Sequence, residues 1–167
     1  MKIFNLQCST DKFKLLVKQH QQFDESPTCS IRALAFCETA WSLTDWIYSE
    51  FIDNLHQLTL GEFRAILYIK CPHLTIIHDL ANASKHKIIT RPKGNIKSAD
   101  KVDGPFTNVF SSAFQQTILL IELENGSTIK VTDLVNGVLS FWLNYFKNDL
   151  KVPNKELRLK FDEYFDI

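Results

Sequence analysis

Thr117-Ile118-Leu119-Leu120-Ile121-Glu122-Leu123-Glu124-Asn125-Gly126-Ser127-Thr128-Ile129-Lys130-Val131 decides the fold class of this 167-residue chain. Two runs rich in β-branched residues flank Asn125-Gly126, the pair favoured where both central residues of a type I′ turn take positive φ. The stretch therefore predicts a β-hairpin. Upstream, apolar residues recur at helical rather than alternating spacing. The reading is an α+β fold: mainly a helical bundle, with a small antiparallel sheet and a C-terminal helix.

Downstream of the hairpin, Thr132 or Asp133 caps a helix whose stripe is Val135, Val138, Leu139, Trp142 and Tyr145/Phe146, ending before Pro153. The tail from Glu156 to Ile167 reads as a last short helix or a partner-binding segment. Upstream, Lys93 to Pro105 shows no apolar periodicity and predicts a mobile surface loop, preceded by a short strand from Lys87 to Thr90. Before it come four helices. The fourth runs from His73 to His86; the third opens at Thr59, with Glu62 completing a capping box. The second extends from Ser26-Pro27 to about Phe51, and the first from the caps Ser9-Thr10-Asp11 to about Phe23, with Phe13, Leu16, Val17 and His20 on one face. In the second helix Ala33, Cys37, Ala40, Thr44, Ile47 and Phe51 form a small-residue seam. A neighbouring stripe, Ile31, Leu34, Glu38, Trp41, Asp45, Tyr48 and Ile52, sets two carboxylates among apolar side chains. Helices two and four form the expected central pair of one domain spanning residues 1–167, divided into a helical half (about 9–86), a strand, loop, hairpin and helix (about 87–150) and a tail (151–167).

Hydrophobic residues make up 45% of the chain, enough for one full core without metals or disulfides. Nineteen basic and nineteen acidic residues balance, so no global field draws the protein to nucleic acid or membranes. Cys8, Cys29, Cys37 and Cys71 form no CxxC pair and read as reduced thiols of a cytoplasmic protein. No run reaches the roughly 18 apolar residues of a membrane span, and the start is too short and interrupted for a signal peptide.

The polar residues that stand out are in Asp79-Leu80-Ala81-Asn82-Ala83-Ser84-Lys85-His86. Asp79, Asn82 and His86 share one helical face, with His78 and Lys85 on its flanks. Facing Glu38 and Asp45 across the central pair, they predict that Asp45 reaches His86, Lys85 or Asn82. A carboxylate beside an imidazole orients its tautomer and suits general acid–base chemistry, whereas the same groups also serve as an internal hydrogen-bond network. The candidate site residues are thus Asp45, Asp79, Asn82, Lys85 and His86. No Glu precedes a His by three, and His73 and His78 lack a second ligand cluster, so no metal is expected. The chain has no G-x-S-x-G and no phosphate-cradling glycine loop, so no cofactor is expected either. Lys85, Lys87, Arg91, Lys93, Lys97 and Lys101 make a locally basic rim near His86, suited to an RNA backbone or a protein partner, or simply a solvated loop that Asp100 and Asp103 partly neutralise.

Trp41-x3-Asp45-Trp46, then Asp79-x-Ala81-Asn82-x2-Lys85-His86, Arg91-Pro92, a hairpin and Phe141-Trp142 together resemble a family of small, uncharacterised bacterial proteins, over roughly Ile31 to Phe146. More distantly, a polar helix segment ending in His within a bundle is similar to HEPN domains, many of them metal-independent ribonucleases of toxin or anti-phage systems. Their motif sets an Arg shortly before the His. Here His86 matches the His and no Arg stands at that distance, which leaves Lys85 as the available point charge. The expected function is a non-enzymatic cytoplasmic binding or interaction protein. The alternative is a HEPN-like ribonuclease using His86.

Overall fold

A computed structural model describes residues 6–51, 58–87, 91–103 and 117–157. It shows the expected α+β class. Among the described residues four helices come first: α1 (Ser9–Asp24), α2 (Ser30–Phe51), α3 (Leu60–Lys70) and α4 (His73–Ala83). Three antiparallel strands follow in the order β1 (Ile96–Asp103), β2 (Thr117–Leu123) and β3 (Thr128–Lys130). Helix α5 (Val131–Asn144) continues into a π-helical turn (Tyr145–Asp149), and α6 (Asn154–Leu157) is short.

The core lies between α1, α2, α4 and α5, around Phe13, Phe36, Leu43, Ile77, Val138 and Trp142, all essentially inaccessible to solvent. Helix α2 packs most extensively on α1 and then on α4, as its seam of Ala33, Cys37, Ala40 and Thr44 allows: small side chains permit close approach. His20 joins α1 to α5, its Nδ1 3.1 Å from Asp24 Oδ2 and its Nε2 2.6 Å from Asn136 Oδ1. Helix α5 meets α4 at Gly137, where a Cβ would stand 3.0 Å from His73 Nδ1. The predicted stripe of α5 is buried at Val135, Val138, Trp142, Tyr145 and Phe146, and burial pushes the Tyr145 hydroxyl to about 12, Asp149 adding to the rise.

Several boundaries differ from the sequence reading. Pro27 sits in a turn and α2 begins only at Ser30; α1 is capped by Cys8 with Asp11. The Thr59–Glu62 capping box is present as predicted, and Thr59 holds the Glu62 carboxyl below its usual range. Helix α4 stops at Ala83, so Lys85 and His86 lie beyond it. The expected strand at Lys87–Thr90 lies largely outside the described residues, Lys87 itself standing in a bend. The predicted loop is instead largely strand β1, paired with β2 from Ile96↔Leu123 to Asp103↔Thr117. Alternation failed to reveal it because β1 is an edge strand held by backbone ladders, with Ala99 and Lys101 at the positions facing the helices.

The hairpin is present, with a different turn. Gly126 has φ 84° while Asn125 is not at positive φ. Gly126 N–H donates to Leu123 O and Leu123 N–H to Ser127 O, both at 2.9 Å, and Asn125 Oδ1 accepts from Ser127 N–H at 2.9 Å. This is a type I turn closed by a glycine bulge rather than a type I′ turn. The open space around Gly126 means that only its backbone conformation demands glycine. Gly126→Val should therefore lower stability by about 1–3 kcal/mol, and Gly126→Asn by less. A denaturation midpoint for Gly126→Val equal to that of the parent would contradict this turn.

Candidate functional site

Asp79 is 1% exposed on α4, and its carboxylate is saturated with donors. Oδ1 accepts from Lys93 N–H at 2.9 Å and lies 2.8 Å from His78 Nδ1; Oδ2 accepts from Gly94 N–H at 2.7 Å and Lys93 N–H at 3.0 Å. Acceptance by the carboxylate assigns the His78 proton to Nδ1. Gly94 can reach Asp79 because it has no side chain: a Cβ there would stand 2.8 Å from Ile76 Cα and 3.0 Å from Thr75 O. Two backbone donors and an imidazole satisfy the buried charge and pin residues 93–94 onto α4.

A second cluster surrounds Trp41 of α2. His78 meets its ring edge-on at 4.6 Å between centroids, Tyr68 of α3 stacks on it at 6.0 Å, and the Arg64 guanidinium lies 4.5 Å over it. Arg64 and Tyr68 are one helical turn apart, so one face of α3 supplies both. Arg64 also donates to Asp45 Oδ1 at 2.8 Å and to Thr44 Oγ1 at 3.1 Å. Burial pushes the Tyr68 hydroxyl to about 12, Arg64 drawing it down and Asp79 up, so it is no base at neutral pH.

The five candidate residues are thus not one constellation. Asp45 pairs with Arg64 instead of crossing to Asn82, Lys85 or His86, and its side chain is 48% exposed. Asp79 is committed to the clamp. Asn82 is half-buried and its backbone oxygen accepts from Lys85 N–H and His86 N–H; both of those side chains are exposed. Lys85 acts instead on α1: burial lowers the Lys12 ammonium from its ordinary value, the Lys85 charge lowers it further, and Glu38 offsets part of the change. Arg64 and the Lys93–Gly94 amides are the partners that sequence reasoning missed, whereas His78 was already marked on the flank of the Asp79 face. Arg64 lay outside the polar motif, and backbone donors carry no sequence signature. Among the described residues, no three His, Cys, Asp or Glu side chains group as metal ligands would, and no helix is long and apolar enough to cross a membrane.

Asp45 borders an open, polar cavity of about 480 Å³ with Trp46 and Glu50, and a mainly apolar one lies between the N-terminal half of α2, α4 and the sheet. It encloses about 260 Å³ and is lined by Ala33, Leu34 and Cys37 of α2, Leu80 of α4, and Leu119 and Ile121 of β2, with β1 forming one side. The sheet is braced by α5, Ala33 and Cys37 on the α2 side are buried, and the lining residues of β1 are exposed. Burial pushes the Cys37 thiol to about 12, so it contributes a neutral, apolar surface. Comparisons with protein-family models, curated proteins and solved structures find no match to the chain.

Two consequences separate clamp from surface pair. Asp79→Ala strands two backbone donors and should cost about 3 kcal/mol or more; Gly94→Ala, which drives a methyl into α4, should cost about 1–3 kcal/mol. Urea midpoints unchanged in both would remove the clamp. Asp45→Ala should cost less than about 1 kcal/mol, as exposed pairs do. A larger loss by the same measurement would show a buried role for Asp45.

Proposed function

We propose that the chain is a non-enzymatic cytoplasmic binding protein whose ligand occupies the apolar cavity between α2, α4 and the sheet. The carrying observation is the division of labour: the acidic candidates Asp79 and Asp45 are engaged in a clamp and an ion pair, while mainly apolar side chains line a half-open cavity. At about 260 Å³, just below the usual range of small-molecule pockets, the cavity suits a small ligand. Ser30 of α2 and Asp100 and Lys101 of β1 are the polar residues that line it.

The HEPN-like ribonuclease reading carries less weight. His86 is exposed beyond the end of α4, and the carboxylates that would orient it are engaged elsewhere, Asp79 by Lys93 and Gly94 and Asp45 by Arg64. The resemblance to small bacterial proteins is compatible with either activity.

A neutral fluorescent probe, aminoanthracene, tests the binding reading. Its emission should rise saturably with protein and fall back in Leu34→Trp, whose indole fills the cavity, while the melting temperature of that variant stays near the parent's. Non-saturable binding, or identical binding to a folded Leu34→Trp, would overturn it. Cleavage of labelled RNA that is lost in His86→Ala would establish the ribonuclease alternative instead.

A further inference from the structure

The face of β1 toward the cavity carries an unexpected residue. Residues directly opposite in an antiparallel pair share a face, and the ladder sets Ala99 opposite Ile121 and Lys101 opposite Leu119. Ile121 is fully buried and Leu119 is 8% exposed, so the helix-facing side of the sheet continues from β2 into Ala99 and Lys101 of β1. Where apolar side chains would complete the core, β1 supplies one methyl group and one ammonium on a flexible stem. The methyl leaves volume open, and the exposed stem sets a cation at its mouth: both residues line the cavity, with Asp100 between them. Lys97 of the same strand pairs with Glu122, whereas Lys101 has no acidic partner among the described residues.

We propose that Lys101 anchors the head of an anionic amphiphile, a carboxylate on a short apolar chain, whose tail lies among Leu34, Cys37, Leu80 and Ile121. This assignment rests on the binding reading above and adds the ligand's charge and shape. The chain takes the place of the missing core residues, and the head meets the ammonium where β1 borders solvent. An ion pair at a half-open site is modest, so burial of the tail supplies most of the affinity and the charge supplies selectivity. An exposed lysine on an edge strand also guards against strand-to-strand association, a role any charged residue at this position fills equally well.

Titration calorimetry with octanoate, octanol and octylamine separates these roles. Octanoate should bind the parent more tightly than octanol, and octylamine should bind least. In Lys101→Met, octanoate should bind about fivefold more weakly with octanol unchanged. In Lys101→Glu, which keeps a charge on the edge, octanoate affinity should fall at least as far and octylamine affinity should rise. Equal affinities for the three probes, unmoved by either substitution, would overturn the anchor while leaving the cavity as a neutral binding site. Octanoate failing to bind a protein that still takes up aminoanthracene would also overturn it. Failure of every probe would overturn the binding reading itself.

Discussion

The Asp79 carboxylate is the constraint on which the joining of helices and sheet depends. It is fixed on α4, and its two backbone partners immediately precede β1. Gly94 lies against the α4 backbone, and Asn95, at φ 50°, turns the chain toward the strand. Asn95 O then accepts from Glu124 N–H at 2.9 Å, which ties the clamp to the hairpin turn. One buried charge thereby positions β1 from below and the β2–β3 turn through it. Burying a carboxylate costs several kcal/mol, and the charge-assisted bonds from Lys93, Gly94 and His78 offset that cost only while all are in place. A site with every acceptor position occupied suits support better than proton transfer.

Trp41 performs the complementary task among the helices. Its ring presents one environment to α3, through Arg64 and Tyr68, and another to α4, through His78. His78 thus connects the two systems, touching Trp41 with its ring and Asp79 with Nδ1. The Trp41 cluster and the Asp79 clamp meet at this imidazole. The cavity is a by-product of that arrangement: α5 supports the sheet, the clamp fixes the start of β1, and small residues on α2 leave the remaining gap unfilled.

Much of the fold was legible in the residues. The hairpin, the Thr59–Glu62 cap, the small-residue seam of α2 and the Trp142 stripe of α5 are local signals of period or capping, and each has its expected place. Strand β1 was hidden because backbone pairing across more than a dozen residues, rather than alternation, makes it a strand, and its cavity-facing positions are Ala99 and Lys101. The turn type was misread because Asn-Gly serves both a type I′ turn and a type I turn with a glycine bulge; the strand register decides between them. The site was less legible. Helical spacing correctly marked Asp79 as a buried polar residue needing a partner, yet its principal partners are backbone amides. The Asp45 prediction failed because Arg64, on a third helix, competes for that carboxylate, and spacing within one helix says nothing of which neighbour arrives.

Native-state hydrogen exchange compared between the parent and Asp79→Asn tests the coupling of sheet to helices most directly. The account predicts slow exchange at the Gly94 amide in the parent. In the variant that protection should fall, together with protection along β1, while α1 and α2 exchange as before. A Gly94 amide that exchanges freely in the parent, or β1 protection untouched by the substitution, would contradict the claim that Asp79 holds the two halves together.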